Sequence, residues 1–170
     1  RLVDARFDAA NPRTAGREIP SGALRRGPVV VFTLATAALF VFAAAMLNPL
    51  CLALSPVALA IVWGYSLTKR FTAFSHLFLG LALGVAPIGA WLAVTGSFAP
   101  FPLILAAAVL CWVAGFDILY ACQDLDFDRK IGLHSIPAWL GARRARWFAR
   151  LLHLGAVVAW AVAFTRVGLD

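Results

Sequence analysis

The sequence predicts an all-α fold, a polytopic transmembrane helix bundle, and three observations carry that reading. Hydrophobic residues make up 62% of the 170 and charged residues only 14%, with a mean hydropathy of +0.86, outside the range of soluble domains. Five apolar runs approach the roughly 20 residues that a helix needs to cross a bilayer core. The short alternating polar and apolar segments of a membrane β-barrel are absent.

Taken in order, residues 1–8 (RLVDARFD) have helical spacing with no apolar run ahead of them. They are expected to form the cytoplasmic end of a helix that begins upstream. A long basic loop follows, in which Asn11-Pro12, Gly16, Pro20, Gly22 and Pro28 forbid a continuous helix. Loops of that length are usually functional or disordered. Complete spans are expected at about 29–47, 50–67, 73–94, 102–123 and 147–165, all within one membrane-embedded domain. Asn48-Pro49 marks a tight turn between the first two, and TKRFT links the second to the third. Gly80 and Gly84 in the third span suit close helix packing through small residues. Pro56 and Pro87 are expected to kink their helices.

The net charge of +7 does not point to nucleic acid, because its distribution follows the membrane. Fourteen of the 15 Lys/Arg fall in Arg1–Arg26, Lys69–Arg70 and Arg129–Arg150, while the turns around Asn48 and Thr95–Phe101 carry none. Basic loops alternating with neutral ones place the basic regions in the cytoplasm. Cys51, Cys111 and Cys122 lie within apolar runs and read as small core residues, not as disulfides or metal ligands.

The acids are sorted by helix geometry. At 100° per residue, Asp117, Asp124 and Asp128 fall within about 40° of one another, and Asp126 points the opposite way. Asp4 and Asp8 likewise share a face. DARFD and DLDFD share the pattern D-x-x-F-D on the same cytoplasmic side, which reads as a partial two-fold repeat. Carboxylates converging from two helix ends would repel unless cations sat between them, and hard oxygen donors suit Mg²⁺ with phosphate and water as further ligands. His76, His134 and His153 lack zinc-ligand spacing. Asp117 stands inside an apolar run, where an ionised carboxylate costs roughly 2.5–3.5 kcal/mol; a structural hydrogen bond to a neighbouring helix is the plain alternative to a functional role. Arg13 and Arg17 of the long loop, with Lys69 and Arg70, lie on the carboxylates' side and are suited to phosphate. Arg25, Arg26, Arg143, Arg144 and Arg146 read as ordinary cytoplasmic anchors.

DARFDAANPRTAGREIPSG, YSLTKRFT and LYACQDLDFDRKIGLHSIP together resemble the UbiA-type intramembrane prenyltransferases, and most of all their 4-hydroxybenzoate polyprenyltransferase-like branch. The resemblance implies a nine-helix bundle in the inner (cytoplasmic) membrane, its active site facing the cytoplasm and a lateral tunnel holding the isoprenoid. By resemblance Asp4 and Asp8 match the last two members of the first acidic motif, and Asp124 and Asp128 match the second. These four would bind two Mg²⁺ that hold a polyprenyl diphosphate. Arg13, Arg17, Lys69 and Tyr65, the last two matching a Tyr-x3-Lys element, would stand at the diphosphate; Asp117, Asp124 and Asp128 would be the catalytic acids. The family's usual Arg-Pro in the first loop reads Arg17-Glu18 here. The expected activity is Mg²⁺-dependent prenylation of an aromatic acid such as 4-hydroxybenzoate in ubiquinone or menaquinone biosynthesis. A cation- or proton-coupled transporter is the alternative of a different class. A structural membrane subunit would leave the matched acidic pairs without a purpose.

Overall fold

The computed structural model describes residues 1–167 and is all-helical among them. A short helix α1 (Ala5–Ala10) precedes the long loop, then come α2 (Arg26–Leu47), α3 (Pro49–Thr68), α4 (Ser75–Thr95) and α5 (Pro100–Ala121). A single 3₁₀ turn, Cys122–Asp124, leads into α6 (Leu125–Ile131), followed by α7 (Ile136–Leu140) and α8 (Ala142–Val167). Five helices are long and apolar enough to cross a membrane, the fourth of these stretches running Pro100–Ile131. The expected spans agree to within a few residues, except that α8 starts five residues before the predicted Trp147 and so includes Arg143, Arg144 and Arg146. Arginine is a good helix former, so apolar content alone misjudged that end.

Consecutive helices pack as antiparallel neighbours because their connections are short. Asn48 makes the first reversal: its Oδ1 accepts from Cys51 N–H at 2.9 Å, capping α3, and its Nδ2 donates to the Leu92 carbonyl of α4 at 2.8 Å. Gly96 closes α4 with φ +64°, a left-handed cap that side chains rarely adopt. Helices α3 and α4 continue through Pro56 and Pro87. Helix α5 is central, packing against α4 on one side and α8 on the other.

Small residues set these distances, as expected where lipid offers no hydrophobic gain from helix association. A Cβ at Gly80 would lie 2.5 Å from the Leu110 carbonyl oxygen, and one at Gly84 2.9 Å from that of Ala106. The α4–α5 approach is therefore backbone to backbone. Across α5, a Cβ on Gly115 would meet His153 of α8 at 2.7 Å. Buried positions are mostly small, among them Ala108, Ala114, Ala145, Ala149 and Ala156. Ile118 and Ile136 join Ala145 and Ala149 where α5, α7 and α8 meet. Large apolar side chains face outward instead, Phe32, Met46 and Phe164 among them, as suits contact with acyl chains.

Replacing Gly80 by Val should force α4 from α5 and lower stability by about 1–3 kcal/mol, the usual cost of overpacking. Gly89→Ala, where a Cβ meets nothing within 4 Å, should be neutral or slightly stabilising. Thermal unfolding of the detergent-solubilised protein distinguishes the two.

Candidate active site

A cavity of about 720 Å³ opens where α1, the long loop, the C-terminal ends of α3 and α5 and the N-terminal end of α4 converge. Every site residue singled out in the sequence lines it: Asp4, Asp8, Asp117, Asp124 and Asp128, with Arg13, Arg17, Tyr65 and Lys69. Asp126 is exposed on the far side of α6. The helical-wheel reasoning assumed one unbroken helix through Asp128, whereas α5 ends at Ala121 and a 3₁₀ turn intervenes. Asp124 and Asp128 still face the cavity, because that turn preserves the right-handed course of the chain.

The loop that could have been disordered is held by polar contacts. Its hinge is Asn11, buried and 113 residues from Asp124 in sequence, whose Nδ2 donates to Asp124 Oδ1 at 2.9 Å. The Asn11 Oδ1 accepts from Arg13 N–H at 3.0 Å, which directs the Arg13 side chain onto the same carboxylate. Arg13 then grips Asp124 in a fork, Nε donating to Oδ1 at 2.8 Å and Nη2 to Oδ2. That hydrogen-bonded fork holds the guanidinium even more firmly protonated than usual. Thr14, also buried, donates to the Asp8 carbonyl at 2.9 Å. Arg17 Nη1 donates to Asp8 Oδ1 at 2.8 Å, while Glu18 faces away and pairs with Arg1 at the surface.

The remaining acids are paired too. Lys69, capping the end of α3, lies 3.1 Å from both oxygens of Asp128 but hydrogen-bonds only Oδ1. The Asp128 side chain is 1% exposed, and its Oδ2 has no hydrogen bond among the described residues. Arg70 stands 3.8 Å from Asp4 and stacks over Phe7. Burial pushes the Asp4 carboxyl up, with Arg70 acting in the opposite sense. Asp117 meets His76 of α4, Nδ1 to Oδ2 at 2.6 Å. Each of these carboxylates thus has a basic partner among the described residues.

Two contributors escaped the sequence reading. Asn11 had read only as part of an Asn-Pro turn, and nothing local indicates a partner so distant in sequence. His76 carried a usable signal, since it is the sole ionisable side chain in α4, and ionisable groups within membrane helices are seldom idle.

The sequence profile of the UbiA prenyltransferase family matches residues 1–169. This chain belongs to that family. It is 31% identical over 168 residues to a 4-hydroxybenzoate octaprenyltransferase of Escherichia fergusonii, covering 99% of this chain and 58% of the relative. A 4-hydroxybenzoate octaprenyltransferase of Methylobacillus flagellatus is 33% identical, over 94% of this chain and 54% of the relative. The apo structure of a UbiA homolog from Aeropyrum pernix K1 superposes with a TM-score of 0.93 at 37% identity, over 99% of this chain and 64% of the other. The UbiA-family chain therefore spans little more than half the length of these curated relatives.

The Arg13–Asp124 fork should be worth measuring directly. A double-mutant cycle over Arg13→Ala and Asp124→Ala should show coupling of about 1–3 kcal/mol by thermal unfolding. Arg13→Ala alone should also speed proteolysis within residues 11–25.

Proposed function

We propose that this chain forms much of the active site of an intramembrane enzyme that transfers a polyprenyl group from its diphosphate to an aromatic acid of the 4-hydroxybenzoate kind, in quinone biosynthesis. The observation that carries this reading is the cavity, where two acidic segments from distant parts of the chain face each other with Arg and Lys interleaved. Deeper in, the lining turns apolar and aromatic, with Leu79, Leu83, Trp112 and Phe116. A charged mouth over an apolar wall suits a substrate with a diphosphate head and a hydrocarbon tail. The charged groups gather at one end of the bundle: His76 is in the first turn of α4 and Asp117 in the last turns of α5. A transporter would need polar groups further along the spans, so the enzyme reading is preferred.

The donor set fits a divalent cation of the Mg²⁺ type. All the acids supply hard oxygens, and the buried Oδ2 of Asp128 has no hydrogen bond. Among the described residues no three acidic, His or Cys donors cluster tightly enough to enclose an ion alone. Waters and phosphate oxygens would therefore have to complete the coordination, and Mg²⁺ is an ion that takes both. Asp4, Asp8, Asp124 and Asp128 would hold it, and once bound it would supply positive charge to the departing diphosphate. The protein's own part is an exchange of partners. Arg13, Arg17 and Lys69, now on Asp124, Asp8 and Asp128, would turn to phosphate as their carboxylates turn to the metal. Cleavage of the allylic C–O bond leaves charge on diphosphate oxygens, which the guanidinium and ammonium groups stabilise. The ring carbon of the acceptor then attacks the allylic carbon, with the apolar wall keeping water away.

In the complete protein, Asp8→Ala and Asp124→Ala should each reduce transfer of a labelled prenyl group to 4-hydroxybenzoate by at least about 10²-fold, the scale of a lost electrostatic contact in a transition state. Retention of normal activity in either variant would remove the metal–diphosphate assignment. Because the Asp4 carboxyl is raised by burial, a cation there competes with a proton at higher pH than at an ordinary aspartate. Mg²⁺ affinity, followed by calorimetry, should be complete above that raised value and fall as pH drops through it; Asp4→Asn should flatten the dependence.

A further inference from the structure

His76 lines the cavity at 1% exposure, as buried as Asp128, and the roles proposed above leave it without one. Two contacts define it. Its Nε2 accepts the Ile136 amide at 3.4 Å, and its Nδ1 faces Asp117 Oδ2 at 2.6 Å. Ile136 opens α7, so its N–H has no partner within that helix and points out of the helix end. An amide aimed at Nε2 excludes a proton there. The proton of the neutral ring is therefore on Nδ1, and His76 donates to the Asp117 carboxylate.

Three packing features produce this arrangement. Gly80 and Gly84 let the α4 backbone meet that of α5, bringing the first turn of α4 beside the last turns of α5. Ser135 caps α7 by accepting from Ala138 N–H at 3.2 Å, which fixes the direction of the Ile136 amide. His134 N–H donates to the Lys69 carbonyl at 2.9 Å and ties the same segment to the end of α3. Asp117 is 36% exposed toward the cavity, and no protein donor engages its Oδ1 among the described residues. One carboxylate oxygen is thus fixed from behind while the other is left to the cavity, above Trp112 and Phe116.

We propose that His76 is the positioning residue of Asp117, and that Asp117 Oδ1, so held, takes the hydroxyl proton of the aromatic acceptor. This rests on the prenyl-transfer reading given above. As the ring carbon forms its bond to the allylic carbon, the C–O bond of the prenyl diphosphate breaks and its electron pair leaves with diphosphate. The hydroxyl proton passes to Asp117, giving a ring ketone. The ring carbon then loses its own proton to the released diphosphate, and the ketone oxygen recovers the proton from Asp117. His76 keeps its Nδ1 proton throughout and holds the carboxylate in one orientation. The other titratable groups at this end of the cavity are Tyr65, Lys69, Tyr120, Asp124 and Asp128. On the opposite face of α5, His153 packs at Gly115. None of these has a hydrogen bond to Asp117 in the structure.

The test uses the complete protein in native membranes, with one prenyl diphosphate and two acceptors. One acceptor is 4-hydroxybenzoate. The other is a ring-fluorinated analogue with a free ortho carbon and a hydroxyl already ionised at the assay pH. Asparagine can present a donor near the Nδ1 position and glutamine only near that of Nε2, and both are polar enough to be accommodated. His76→Gln should lower kcat for 4-hydroxybenzoate by about 10²-fold, with KM for the prenyl diphosphate within about threefold of wild type. His76→Asn should recover most of that loss. The deficit of His76→Gln should shrink to within about threefold with the ionised acceptor, and adding His76→Gln to Asp117→Asn should cost nothing further. Equal losses in the Gln and Asn variants, an equal deficit with both acceptors, or an added loss in the double variant would each overturn the proposal while the functional reading stood. A wild-type protein that prenylates no aromatic acid would overturn both.

Discussion

Everything at the charged end of this bundle depends on satisfying carboxylates that sit where apolar helices finish. An ionised acid in that setting has lost much of its water, and it is tolerated only with a charged or hydrogen-bonding partner. Each acid here takes its partner from a segment other than its own. Asp124 takes Asn11 and Arg13 from the loop, Asp8 takes Arg17, Asp128 takes Lys69 from the end of α3, and Asp117 takes His76 from α4. Satisfying the charges is therefore the same event as assembling the site. A loop with little apolar surface of its own is ordered by two arginines and one asparagine.

The membrane part supplies the rigid frame for that assembly. Its helices approach through Gly80, Gly84, Gly115 and a series of alanines. Large side chains are consequently pushed outward to lipid, and the distance between α4 and α5 is set by backbone contact. Short distances of this kind bring two polar groups from different helices within a hydrogen bond of each other, as His76 and Asp117 are. Compressible side chains at the same interface would leave that distance loosely determined.

The paired charges also explain how the site can be both stable and receptive. Arginine and lysine neutralise the acids in the protein alone, and the same cations are suited to phosphate. Among the described residues, Asp128 alone keeps a buried side-chain oxygen without a hydrogen bond. In the proposed reaction, a divalent ion arriving with a diphosphate would offer both sets of charges new partners, leaving no charge stranded. His76 and Asp117 would stand outside that exchange, since neither engages Arg or Lys among the described residues, leaving their contact for the acceptor role proposed above.

By itself the sequence determined the class, the five spans and the faces of the acids. Hydropathy, charge placement and helical period are local quantities, and Asp117, Asp124 and Asp128 fall on one side by spacing alone. The matched D-x-x-F-D segments already indicated that Asp4 and Asp8 belong with them. What only the tertiary structure decided was pairing. Nothing near Asn11 foretells Asp124, and nothing near His76 foretells Asp117 or the Ile136 amide, because these contacts arise from helix register and the fold of a long loop. The break at Cys122–Asp124 was equally hidden, since a 3₁₀ turn of three residues leaves no mark on apolar content. Periodicity fixes which way a side chain points; only packing fixes what it meets.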